Sequence, residues 1–248
     1  MAKLIDIKNT IIKLFPENVL NDTTWEYGFR FNFDNEINRI SYSTNLTPFT
    51  ITKAIENNAD ILITHHDAWP FMNEQKAYCN KLLEDNKINH CFFHTPLDAA
   101  EFGTSYGLAN ALGVKNKKFT VPYFGHLVGI AGNIEQQPLN NLVERCEKVL
   151  GEKVRSYKNN DNLCSRILIA TGGGNETNCL DSAISEKCDT YITGEYGMYL
   201  QHYAEYHGIN LIIGSHTKTE IIGVRNFVKR IITYFDDLKI YEIDEPNY

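Results

Sequence analysis

The sequence predicts an α/β fold with two similar α/β lobes facing a central cleft. Three observations carry this expectation. Helix-like and strand-like segments alternate along nearly the whole chain, the order expected of α/β rather than all-α or all-β architecture. Short apolar runs, Ile61-Leu-Ile-Thr64 and Leu211-Ile-Ile213 among them, have the length and composition of strands buried on both faces of a parallel sheet. These runs end abruptly in histidine, at His65-His66 and at Ser215-His216, and Cys91-Phe-Phe ends likewise at His94. The carboxyl ends of parallel strands are where open α/β sheets bind ligands.

The elements follow in order. An amphipathic helix over ~3–14 stops at Phe15-Pro16. Strands follow over ~25–31 and ~37–43. Thr47 caps a helix over ~48–57, and the strand Ile61–Thr64 leads into the histidine pair. A helix over ~72–86 precedes a strand over ~89–94. Another helix, over ~104–112, ends at Gly113, suited to a left-handed cap. The glycine-bearing stretch ~119–135 reads as strands or a hairpin. Pro138 opens a helix that runs to Leu150 and again meets glycine. The strand Arg166–Thr171 enters Gly172-Gly-Gly174, and a helix covers ~177–186. The strand Asp189–Thr193 enters Gly194-Glu195. A further helix, the strand Asn210–Ile213, a helix over ~218–233 and a short last strand complete the chain. The polar loop Lys158-Asn-Asn-Asp-Asn162 marks a natural break. Helix, apolar strand and His-His in the first half echo helix, apolar strand and Ser-His in the second. The expected organisation is one domain of two lobes, approximately 1–125 and 126–248.

Composition limits the function classes. Lys plus Arg is 24 and Asp plus Glu is 31, giving a net charge of −7, against the basic excess of a general nucleic-acid binder. Two divalent cations would reduce that charge to about −3. No apolar run reaches the ~18 residues of a membrane span, and the N-terminus lacks a signal-peptide core. The six cysteines form no Cys-x-x-Cys pair and read as reduced, buried thiols of a cytosolic protein.

The histidines suggest metal coordination, because neutral imidazole and carboxylate suit zinc, iron and manganese. Neighbours on a strand point to opposite faces. His65 and His66 therefore reach one centre only if the strand ends there, or else serve different metals. His216 and Glu220 are four apart and share one face of a helix. In His94-Thr-Pro-Leu-Asp98, Asp98 follows a strand end. Asp98 and Glu220 are bridging candidates, with His65, His66 and His216 terminal. Three histidines and two carboxylates leave open positions on two metals, as a catalytic centre requires.

The segments Ile63-Thr-His-His66, His94-Thr-Pro-Leu-Asp98-Ala-Ala100, Asp189-Thr-Tyr-Ile-Thr-Gly-Glu195 and Gly214-Ser-His-Thr-Lys-Thr-Glu220 resemble the Nif-three-like dinuclear-metal family, the GTP cyclohydrolase 1 type 2 homologues. The resemblance implies metal ligands at His65, His66, Asp98, His216 and Glu220, two α/β lobes, and a ring-shaped homohexamer built as a trimer of dimers. It implies no inserted regulatory domain. Asp67 stands where the family usually has proline, Thr-Pro-Leu-Asp replaces Thr-Asn-Leu-Asp, and Ser43 replaces a frequent aspartate.

Each residue also has a plainer reading. Asp98 suits a helix cap. Glu195, a candidate proton-transfer group at a strand end, also suits a helix start. His94 suits a group that orients a ligand or meets substrate. Gly172-Gly-Gly174 lacks dinucleotide or P-loop spacing and reads as a tight turn. The tyrosines at 196, 199, 203 and 206 read as a buried helix face or oligomer interface. The expected function is metal-assisted hydrolysis of a small, nucleotide-like substrate by a cytoplasmic protein with two divalent ions. The alternatives are a metal-binding regulatory or interaction protein and a ring that binds single-stranded nucleic acid.

Overall fold

The computed structural model describes residues 2–33 and 36–246. Backbone contacts divide the chain into two compact units. In chain order the first part comprises β1 (Ala2–Lys3), α1 (Leu4–Lys13), α2 (Glu17–Asp22), β2 (Tyr27–Arg30), β3 (Glu36–Ile37), β4 (Arg39–Ser43), α3 (Pro48–Glu56), β5 (Ile61–Thr64), α4 (Asn73–Asp85), β6 (Asn89–Phe93) and α5 (Thr95–Asp98). The remainder comprises α6 (Thr104–Ala111), β7 (Lys115–Tyr123), β8 (His126–Gln137), α7 (Leu139–Leu150), β9 (Arg155–Tyr157), β10 (Cys164–Ala170), α8 (Thr177–Ser185), β11 (Thr190–Thr193), α9 (Met198–Tyr206), β12 (Asn210–Ile213), α10 (His216–Ile232) and β13 (Lys239–Glu242).

The first unit, Met1–Leu97 with Val224–Pro246, holds a five-stranded mixed sheet in the order β13-β4-β5-β6-β2. β13, β4, β5 and β6 run parallel, and β2 closes one edge antiparallel. Ile61, Leu62 and Ile63 are all but fully buried, worth roughly 1.5–3 kcal/mol each against exposure. α3 starts on a capping box: Thr50 N–H donates to Thr47 Oγ1 while Thr50 Oγ1 sits 2.9 Å from Thr47 N. That box, with Pro48 at the first helical position, points Ile51 and Ala54 onto Leu62 and Leu83.

The second unit, residues Asp98–Gly223, holds a six-stranded mixed sheet in the order β7-β8-β10-β11-β12-β9. β10, β11 and β12 are parallel, with β8 and β9 antiparallel on either side. One face packs Ile167, Ile169, Ile192 and Ile212 against α7 through Leu142 and Cys146. The opposite face packs Leu168, Tyr191 and Leu211 against Leu180, Leu200 and Ala204 of α8 and α9. Gly151 ends α7 in the left-handed conformation at φ 71°, and Gly113 after α6 has the same φ.

Each unit therefore contains three consecutive parallel strands joined by two helices, β4-α3-β5-α4-β6 and β10-α8-β11-α9-β12, and the first adds β13 as a fourth parallel strand. Each also fixes the start of its middle strand with the same device. Asp60 Oδ2 accepts the N–H groups of Asn38 and Arg39; Asp189 Oδ2 accepts those of Ser165 and Arg166. The internal echo thus pairs β5 with β11, not β5 with β12 as the histidines suggest. The tyrosines of α9 also depart from a buried stripe. Leu200 and Ala204 take the buried positions, while Tyr199 is 72% and Tyr206 83% exposed. Among the described residues no helix is long and apolar enough to cross a membrane.

Candidate metal-ligating residues

In the first unit the histidines gather at the carboxyl ends of β5 and β6. β5 stops at Thr64, and the next two N–H groups, of His65 and His66, both donate to the carbonyl of Thr44 at 3.0 and 2.8 Å. Two successive N–H groups on one acceptor break the strand's alternation and bring both imidazoles to one side, with ring centroids 4.5 Å apart. His94, just beyond β6, lies 4.9 Å from the His65 ring and 5.2 Å from that of His66. Ligand atoms of His65, His66 and His94 lie within 4.8 Å of one another.

Each ring is held through Nδ1. His65 Nδ1 lies 2.8 Å from the Phe93 carbonyl, His66 Nδ1 lies 2.8 Å from Asn45 Oδ1, and His94 Nδ1 bonds Glu26 Oε2. A carbonyl or carboxylate oxygen only accepts, so each Nδ1 carries a hydrogen, and in the neutral ring Nε2 is then the lone-pair nitrogen. Trp69 packs on the group, its ring centroid 5.5 Å from His94 and 6.2 Å from His66.

Glu26, which carries no motif, anchors His94 and also accepts from Thr95 Oγ1 at 3.0 Å. Burial opposes its ionisation, but the bond and charge of His94 outweigh that and hold its carboxyl below the usual range. A carboxylate with a depressed folded pKa contributes stability above its unfolded pKa and loses it as pH falls through the folded value. In metal-stripped protein, Glu26→Gln is therefore expected to be less stable than wild type at neutral pH. That gap should shrink once pH drops below the ordinary glutamate value of about 4.3. Urea unfolding at pH 7 and at pH 3 checks this; a gap of constant size would show that the Glu26 charge is not involved.

Asp67, beside the histidine pair, is committed elsewhere. Its oxygens accept from Arg30 Nε at 3.1 Å, from Arg30 Nη2 and from Lys76 Nζ at 3.0 Å.

In the second unit the corresponding strand ends carry Gly172, Glu195 and His216. His216 opens α10, and one turn later Glu220 brings Oε2 to 3.3 Å from His216 Nε2. Glu195, beyond β11, bonds His216 Nδ1 at 2.5 Å through Oε1. Burial disfavours the imidazolium, yet Glu220 and Glu195 together push His216 up to about 10. The two carboxylates thus favour positive charge at this imidazole. Glu195 has the geometry of a group that orients His216.

Gly172, at φ 63°, leaves the space these side chains fill. A Cβ there would stand 2.8 Å from Glu220 Cδ and 2.9 Å from His216 Nε2. The triple-glycine run is a close-packed turn: Gly172 N–H donates to Thr219 Oγ1 and Gly174 O accepts from Tyr191 Oη. Asp98 ends the single turn of α5 and accepts from Thr104 Oγ1. Sequence reasoning missed Glu26 and Asn45 and took Gly172 only as part of a tight turn; Asn45, just past the end of β4, and Gly172, just past the end of β10, both lie where a strand-end rule looks, whereas Glu26 does not.

Comparison with known proteins gives a consistent result. The family model described as Duf34/NIF3 (NGG1p interacting factor 3) matches residues 2–247. The chain is 27% identical to a protein of Haemophilus influenzae named GTP cyclohydrolase 1 type 2 homolog, over 98% of both chains. It is 30% identical to a protein of the same name from Pyrococcus horikoshii, over 95% of this chain and 93% of that one. Among solved structures it is similar to protein ybgI, of unknown function, at 25% identity and a TM-score of 0.84, covering 100% of this chain and 99% of the other.

Proposed function

Because the chain belongs to the Duf34/NIF3 family, we propose that it is a dinuclear-metal-dependent hydrolase acting on a nucleotide-like small molecule. His65, His66, Asp98, His216 and Glu220 form the proposed ligand set for two divalent ions, of zinc, iron or manganese. The observation that supports this most is the state of its three imidazoles. A backbone carbonyl, a side-chain amide and a carboxylate take the Nδ1 hydrogens of His65, His66 and His216, the outer partners typical of metal-bound histidine. The missing Cβ at Gly172, beside Glu220 and His216, fits the same reading.

A divalent ion held there supplies Lewis acidity toward water and substrate. The chain's own residues do the rest. Glu195 orients His216, Glu26 fixes the His94 ring beside those of His65 and His66, and Trp69 packs against His94 and His66. His94 and Glu195 are the proposed proton-handling groups. The proposal extends to a single domain of two lobes without an inserted regulatory domain, to a homohexamer arranged as a trimer of dimers, and to a cytoplasmic setting.

Metal analysis by mass spectrometry on untagged protein tests the ligand set. Wild type should carry close to two transition-metal ions per chain. His216→Ala and Glu220→Ala should lose metal while the melting temperature moves by only a few degrees, because strand-end ligands contribute little to core packing. Unchanged metal content in both variants would sink the assignment. Turnover is then sought across nucleotides and phosphoesters, starting with GTP, the nucleotide in the relatives' name. The family description names an interacting factor, which favours a second reading, a metal-binding interaction protein. Metal-loaded protein that turns over none of those substrates would support it.

A further inference from the structure

The segment after β13 reaches the proposed centre through one carboxylate, that of Glu245. Past β13, Ile243 N–H still pairs with the Tyr42 carbonyl at 2.9 Å, and this places Glu245 against the loop that follows β4. Glu245 is buried. Its Oε1 accepts the N–H groups of Thr44 and Asn45 at 2.6 and 3.2 Å. Its Oε2 accepts from Asn45 Nδ2 at 2.8 Å, across 200 residues of sequence.

Two consequences follow for His66. The Asn45 N–H belongs to the same peptide plane as the Thr44 carbonyl, and that carbonyl takes the N–H groups of His65 and His66. Glu245 thereby sets the plane on which both histidines hang. The second route runs through side chains. A carboxylate has no hydrogen to give, so the Asn45 amide must turn Nδ2 toward Glu245 and Oδ1 toward His66 Nδ1, 2.8 Å away. An oxygen there requires the hydrogen on Nδ1 and leaves Nε2 as the lone-pair nitrogen.

We propose that Glu245 is a positioning residue for His66, selecting its metal-ready tautomer through the orientation of Asn45. This rests on the metal-centre reading above.

The test exchanges the two groups. In Glu245→Gln the new carbonyl keeps the two backbone N–H bonds, and the new NH2 faces Asn45. The Asn45 amide then flips, Nδ2 points at His66, and the imidazole hydrogen moves to Nε2. Asn45→Asp alone sets two carboxylates face to face. The double variant Asn45→Asp/Glu245→Gln restores a donor to one side and an acceptor to His66. Two readouts are taken on protein with 15N-labelled histidine: the ring-nitrogen shifts of His66 without metal, and zinc affinity by chelator competition. Glu245→Gln should exchange the protonated and unprotonated nitrogen signals of His66 and weaken zinc binding about 10- to 100-fold. The double variant should bring both back toward wild type. Wild-type nitrogen shifts in Glu245→Gln, or no recovery in the double variant, would overturn the proposal. If Glu245→Gln does not fold, the double variant decides alone by whether it recovers the wild-type tautomer. Wild-type protein that takes up no zinc would instead defeat the metal-centre reading, and the nitrogen shifts would still decide the role of Glu245.

Discussion

Gly172→Ala is expected to deplete the proposed metal centre while the protein remains folded. Two effects add at this position. The backbone sits at φ 63°, where an L-residue costs roughly 1–2 kcal/mol. The new methyl also meets Glu220 Cδ at 2.8 Å and His216 Nε2 at 2.9 Å, well inside van der Waals separation. Glu220 is buried and Glu195 restrains His216, so relief comes only by moving the two proposed ligands apart. Metal content should fall by half or more. The melting temperature should drop by roughly 5–10 °C, for about 2–3 kcal/mol in a chain of this size. Gly151→Ala is the control. It has φ 71° with nothing within 4 Å of the added Cβ, so it carries the strain alone and should keep its metal. Equal metal content in the two variants would show that the methyl does not disturb the ligands.

Asp67→Asn is expected to show the opposite pattern: lost stability with metal retained. The Asp67 side chain is 3% exposed and holds Arg30 and Lys76, which are 31% and 23% exposed. Neutralising it leaves two neighbouring cations without their shared counter-charge. Breaking a fully buried pair costs about 3–5 kcal/mol; partial exposure of both cations screens this, to about 2 kcal/mol. Thermal unfolding should shift down by roughly 4–8 °C. Adding Arg30→Met should recover part of it, since the remaining cation no longer faces a like charge. If Asp67→Asn instead loses metal at an unchanged melting temperature, Asp67 ligates metal.

Local signals account for most of the fold's legibility. Thr47 with Pro48, and Pro138 with Gly151, mark α3 and α7 because caps depend on residues close in sequence. The run Ile61–Thr64 marks a buried strand because it is short, apolar and rich in β-branched residues. β9 was missed because Arg155-Ser-Tyr157 is short and polar. It is a strand only through antiparallel pairing with β12, a tertiary cause. The internal echo was misaligned because histidines were matched to histidines. What repeats structurally is the aspartate clamp, Asp60 and Asp189, and the units carry different side chains on that shared frame. At the candidate site the histidines were legible from their strand ends. Their anchors were not. Glu26 lies between α2 and β2, Glu245 lies beyond β13, and neither stands in a periodic or motif context.

The Nδ1 bonds of His65, His66, His94 and His216 also bear on speed. Turning any of these rings by half a revolution would face a carbon toward its acceptor, so rotation is resisted before an ion arrives. Preorganised donors avoid an ordering cost on association, and apo and loaded forms of these side chains should nearly superimpose. Ion capture would then be paced by stripping the cation's hydration shell rather than by rearrangement of the polypeptide.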